Sequence, residues 1–123
     1  MDINADLSKV QTIPKYAFED CENLTTVKIT NQTTSIEYKA FYNCKKMNGD
    51  IDLSNVTYLG EASFYNCNSI DKPLDVSNVS SIRSNTFDGC KKVPSITLKD
   101  NFVLSSYSAQ RVFANCESLT SIL

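Results

Sequence analysis

Five cysteines are the residues of this chain best placed to do chemistry. They fall at Cys21, Cys44, Cys67, Cys90 and Cys116, in three steps of 23 residues and one of 26. Recurring thiols suggest a disulfide framework or soft-metal ligation. Their placement argues against both. The count is odd, every cysteine sits at the same phase of a repeat, and no pair has the close spacing that zinc sites use. The chain contains no histidine. The expectation is a column of buried, unpaired thiols, each behaving as a small apolar core residue, with no metal and no cofactor. A second set, Asp50, Asp52 and Asp75, has the residue type for acid–base work. On an open sheet, however, outward carboxylates lack the burial that tunes such groups. Without histidine there is no Ser-His or Cys-His nucleophile pair, and the three glycines form no phosphate-binding loop. The chain reads as a non-enzyme.

The elements that carry these residues form a repeat. Each cysteine closes the phrase Phe-x-x-Cys, at Phe18, Phe41, Phe64, Phe87 and Phe113. Five residues before the phenylalanine stand Ile13, Ile36, Leu59 and Ile82, and three after the cysteine stand Leu24, Met47, Ile70, Val93 and Leu119. Alternating apolar pairs follow: Val27/Ile29, Ile51/Leu53, Leu74/Val76 and Ile96/Leu98, with Ala5/Leu7 feeding the first repeat. Period-two alternation predicts short strands. A fixed period of this length predicts a solenoid whose strands stack into one parallel sheet. Phe and Cys at i and i+3 predict a single helical turn on the return limb. The residue before each cysteine (Asp20, Asn43, Asn66, Gly89, Asn115) is of a type that tolerates a left-handed backbone and ends that turn. Extra residues near 48–50 and 71–73 predict small bulges.

One domain of 123 residues is expected, with repeats at about 5–27, 28–50, 51–73, 74–95 and 96–123. The fifth repeat carries an insertion, Lys99–Gln110. It predicts a longer helix from about Ser106 to Ala114, with Phe102, Val103 and Leu104 folding back over the core. A net charge of −2 gives no reason to expect nucleic acid, and no apolar run is long enough to insert in a membrane. The first residues lack the pattern of a signal peptide. Strands at both ends present apolar edges, so the chain is expected to be part of a longer array or to self-associate end to end.

Ile36-Glu-Tyr-Lys-Ala40-Phe41-Tyr-Asn-Cys44 and Cys21-Glu-Asn-Leu24-Thr-Thr-Val27-Lys-Ile29 resemble the BspA-like class of leucine-rich repeats, and the resemblance covers nearly the whole chain. It implies an α/β solenoid: a short curved array of about five 23-residue repeats, with a parallel sheet on the concave face and short helical turns and loops on the convex face. It also implies a surface or secreted protein, similar to adhesins that bind a host or neighbouring-cell surface protein. An intracellular adaptor or scaffold, cytoplasmic and binding a protein partner, is the alternative. Candidate partner-binding residues are Lys28, Asp50, Asp52 and Asp75 on the sheet, and Tyr42 and Tyr65, which follow two repeat phenylalanines and should stack. The ten Phe and Cys residues of the phrase form the structural core.

Overall fold

The computed structural model describes residues 1–100, 102 and 110–122. Among the described residues nine short strands follow one another: β1 (Ile3–Asp6), β2 (Thr12–Ile13), β3 (Leu24–Ile29), β4 (Ser35–Ile36), β5 (Asn48–Ile51), β6 (Tyr58–Leu59), β7 (Leu74–Asp75), β8 (Ser95–Thr97) and β9 (Ser121–Ile122). They wind into a parallel-strand solenoid of about five coils. One side carries β1-β3-β5 and β7-β8-β9, and β2-β4-β6 run as a second ribbon; every pair is parallel. The sheet of the first side is therefore two three-stranded stretches rather than one. Pro73, which stands 23 residues after Asp50, lies at the gap and has no N–H to give a ladder.

The register also departs from the apolar pairing. Ile29 lies opposite Ile51, Val27 opposite Gly49, and Lys28 opposite Asp50. The third coil thus matches its neighbour two residues earlier than the pairs Val27/Ile29 and Ile51/Leu53 suggest. Gly49 makes this fit possible. Its φ is +120°, and a Cβ there would stand 2.4 Å from the Val27 carbonyl oxygen.

The expected helical turns are absent: no helix occurs among the described residues, and the Phe-x-x-Cys phrase is a run of tight turns. Two residues per phrase are left-handed, not one. They are the residue before the cysteine and the residue two before the phenylalanine: Tyr16, Lys39, Ala62, Asn85 and Arg111. A left-handed residue every four positions cannot continue a right-handed helix. Backbone amides are then used alternately. Within a coil, Ala40, Tyr42 and Cys44 N–H donate three residues back, to Glu37, Lys39 and Phe41. Between coils, Lys39, Phe41 and Asn43 N–H donate to the Glu61, Ser63 and Tyr65 carbonyls at 3.1, 2.9 and 2.8 Å. The same three positions donate forward from the first, third and fourth phrases. Of the expected helix over Ser106–Ala114, residues 106–109 lie outside the described residues and 110–114 are turn. Phe102 packs on the core, while Val103 and Leu104 lie outside the described residues.

Inside the coils, Phe18, Phe41, Phe64, Phe87 and Phe113 form one stack, with centroids 5.4, 5.4, 6.0 and 6.3 Å apart. Phe41, Phe64 and Phe87 are fully buried, as are Cys44, Cys67 and Cys90. Of the small residues before each phenylalanine, Ala40 and Ser63 are wholly covered. The Ser63 hydroxyl has no hydrogen-bond partner among the described residues. Two substitutions should therefore move stability in opposite directions. Ser63→Ala removes an unsatisfied hydroxyl and should raise stability by up to about 1 kcal/mol. Cys67→Ala removes packing and a thiol donor and should lower it by about 1–2 kcal/mol. Urea unfolding followed by circular dichroism measures both; equal signs would contradict this packing.

Candidate functional site

The cysteine column proves to be bonded as well as buried. Cys44, Cys67, Cys90 and Cys116 each donate Sγ–H to the phenylalanine carbonyl of the preceding coil, at 3.0, 3.2, 3.3 and 3.1 Å. The same carbonyls accept the N–H of their own coil's cysteine. All five thiols are free. Burial pushes the Cys44 thiol up to about 12 and Cys116 up to about 11, and lifts Cys67 and Cys90 well above the ordinary value. A thiol held neutral in this way is a poor nucleophile and a poor metal ligand. Its chemistry is spent on the framework.

On the sheet side, Lys28, Asp50, Asp52 and Asp75 are all exposed. They do not form one column. Asp50 lies across from Lys28 in the register. Asp52 and Asp75 stand at strand exits, where their carboxylates accept the backbone N–H of Ser54 and Ser77 at 2.9 and 3.0 Å. Asp6 holds Ser8 in the same way at 3.0 Å, and these hydrogen bonds from Ser8 draw its carboxyl below the usual range. The recurring Asp-x-Ser is thus an Asx turn that redirects the chain out of the strand.

The opposite side carries the ordered aromatics. Tyr42 and Tyr65 stack with centroids 4.7 Å apart and planes 11° off parallel. Tyr16 meets Tyr38 edge-on at 5.4 Å. The Lys39 ammonium lies over both Tyr42 and Tyr38, 4.7 and 5.3 Å from the ring centres, within cation–π range. A cleft of about 320 Å³ opens beside the tyrosine pair, lined by Lys39, Tyr42, Glu61, Ala62, Tyr65 and Asn85. One coil further on, the place of the tyrosine is taken by Asp88, which is only 3% exposed. It accepts from the Asn85 amide at 2.9 Å, Arg111 Nε at 3.2 Å and the Asn115 amide at 3.1 Å. These bonds compensate a buried carboxylate and fix Asn85, the far wall of the cleft.

Tyr42 and Tyr65 are the residues of this site that sequence spacing finds. Lys39, Glu61 and Asn85 were not among the candidates. Lys39, Ala62 and Asn85 stand 23 residues apart in one column. That spacing was readable, but their presentation beside the tyrosines depends on a left-handed backbone at all three, which Lys and Ala do not advertise.

A family model described as BspA type leucine rich repeat region matches residues 3–120 in six copies. Among solved structures, a leucine-rich cell surface protein from Faecalibacterium prausnitzii A2-165 is similar, with a TM-score of 0.78 and 28% sequence identity. The match covers 98% of this chain and 32% of that one, so the chain spans about a third of that protein's length. No curated protein matches.

The raised thiols set a pH dependence. Their native values lie above the ordinary 9.0, so on the alkaline side the unfolded chain sheds these protons before the native one. Their contribution is complete below about pH 9 and is lost as pH rises toward 12. Urea midpoints under reducing conditions should fall between pH 8 and pH 10, and fall less steeply in Cys67→Ala. An unchanged slope in that variant would refute the assignment.

Proposed function

We propose that this chain, which belongs to the BspA-type leucine-rich repeat family, is a non-catalytic protein-binding module of an adhesin-like cell-surface or secreted protein. The cell-surface assignment is supported by the description of the bacterial structure it resembles. No helix among the described residues is long and apolar enough to cross a membrane.

The observation that carries the binding reading is the cleft beside the Tyr42–Tyr65 stack. Its aromatic pair is half-buried and held face to face, so little side-chain freedom remains to be lost when a partner docks. Tyrosine supplies apolar contact area and a polar tip in one residue, which suits a protein interface. Lys39 and Glu61 add one charge of each sign at the rim, which orients a partner more than it tightens it. The partner class that fits is a protein surface presenting a loop or extended segment with mixed charge. The sheet side, with Lys28 and Asp50 facing solvent, is the polar flank of the same module.

Binding to intact host or neighbouring cells, followed by cross-linking to the chain, tests this reading. The Tyr42→Ala/Tyr65→Ala variant should bind at least about tenfold more weakly, since central aromatic anchors commonly cost 2 kcal/mol or more when truncated. An Asp50→Ala/Asp52→Ala/Asp75→Ala variant should retain most of the binding. The opposite ranking would move the site to the sheet, and no specific binding by the folded chain would remove the proposal.

A further inference from the structure

Charge is spread unevenly over this chain of net charge −2. The two residues after each repeat cysteine read Glu22-Asn23, Lys45-Lys46, Asn68-Ser69, Lys91-Lys92 and Glu117-Ser118. Lysine pairs thus hold the same place in the second and fourth coils. Lys72, five residues after Cys67, adds another ammonium in the coil between them. All five of these lysines are exposed. Among the described residues, only Lys72 of the five has a carboxylate within ion-pair distance, that of Asp71 at 3.8 Å. Asp71 is the sole acidic residue set among them. The Asn48 amide, which donates to it at 2.8 Å, and the nearby ammoniums of Lys72 and Lys92 hold its carboxyl below the usual range.

The backbone presents the two pairs alike. Lys45 and Lys91 N–H each donate to the carbonyl two residues back, Asn43 and Gly89, at 2.9 Å, and Asn68 N–H does the same to Asn66 at 2.9 Å. Bonds between coils then hold this edge in line. The Ser69 hydroxyl donates to the Lys45 carbonyl at 2.6 Å, and Ser118 N–H donates to the Lys91 carbonyl at 3.0 Å. Lys45-Lys46, Asn68-Ser69 and Lys91-Lys92 are therefore three successive rungs, cationic, neutral and cationic. At the usual spacing of neighbouring strands, the two cationic rungs stand roughly 10 Å apart. Glu22 and Glu117 occupy the rungs on either side and confine the positive stretch to the middle coils. We propose that this lysine edge is a second binding site, for a linear sulfated polysaccharide.

The chemistry of the edge selects this partner. Five ammoniums against one carboxylate call for an anion, and their arrangement along successive coils calls for one whose charges recur along a line. The spacing of the cationic rungs is on the scale of one disaccharide. Every cation of the edge is lysine, a hydrated point charge on a flexible stem, which suits mobile sulfates better than planar, bidentate groups. The edge has no apolar or aromatic side chain among its rungs. An acidic protein surface would find no central anchor there, unstacked nucleic-acid bases no platform, and a bilayer no apolar wedge to insert. None of the five lysines lines the tyrosine cleft, so this site stands whether or not that cleft binds protein.

Titration calorimetry of the chain with heparin tests the proposal, with heparin stripped of its sulfates, duplex DNA and phosphatidylserine vesicles as comparison probes. Heparin should bind, and its affinity should fall at least about tenfold as sodium chloride rises from about 50 to about 200 mM, as displacement of condensed counterions requires. The sulfate-stripped polymer, DNA and vesicles should all bind more weakly than heparin. The Lys45→Ala/Lys46→Ala/Lys91→Ala/Lys92→Ala variant should lose at least about tenfold in heparin affinity. A variant with the same net charge, Lys9→Ala/Lys15→Ala/Lys28→Ala/Lys99→Ala, removes four exposed lysines elsewhere and should keep most of the affinity, as should Tyr42→Ala/Tyr65→Ala. Thermal melts at the wild-type temperature check that each variant is folded. Absence of heparin binding at low salt would overturn the proposal, as would equal losses in the two lysine variants. So would tighter binding to DNA or to vesicles, or undiminished binding to the sulfate-stripped polymer.

Discussion

The alternating use of backbone amides in the Phe-x-x-Cys phrase is the constraint on which the rest of this solenoid depends. A helix would spend every amide on its own turn. Here one amide closes a turn within the coil and the next crosses to the neighbouring coil. That alternation requires a left-handed residue on both sides of the phenylalanine. It also brings successive coils close enough for the phenylalanine rings to stack and for each thiol to reach the carbonyl before it. The strands alone could not do this. Those of the β2-β4-β6 ribbon are two residues long, and the main sheet is interrupted at Pro73.

The constraint explains where chemistry is not. The most regular polar and reactive groups are held by the framework: the thiols on phenylalanine carbonyls, and the carboxylates of Asp6, Asp52 and Asp75 on backbone amides at strand exits. The amide column continues the pattern, with Asn43 donating to Asp20 and Asn66 to Asn43. It stops at Gly89, where any side chain would collide with the Asn66 amide oxygen. Solvent-facing variation is left to positions the repeat does not need. Tyr42 and Tyr65 occupy such positions, and the same column carries Asp88 one coil later. The cleft exists because this column changes from aromatic to acidic, and because the acidic member turns inward to bind Asn85 and Arg111.

The differences between expectation and structure share a cause. Spacing of i and i+3 suits a helical turn and a pair of tight turns equally well, because both bring those residues to one side. Only the sign of φ separates them, and Tyr16, Lys39, Ala62 and Arg111 carry no mark of a left-handed backbone. The register of β5 failed in a similar way. The apolar pair Ile51/Leu53 is a sound strand pattern, but Gly49, without a side chain to place inside, lets the coil pair two residues earlier. Lys28 consequently faces Asp50 and not Asp52.

Sequence by itself determined the period, the solenoid, the family and the identity of the core columns. It did so because these depend on which side chains recur, and five copies average away local irregularity. It also determined that Tyr42 and Tyr65 are neighbours, since residues 23 apart in a solenoid must be. Tertiary structure alone decided that the phrase is turn and not helix, which carboxylates cap turns, and that Lys39, Glu61 and Asn85 join the tyrosines. Those outcomes depend on backbone dihedrals and on contacts between coils, whose energies are set by the neighbour each coil packs against and not by its own residues.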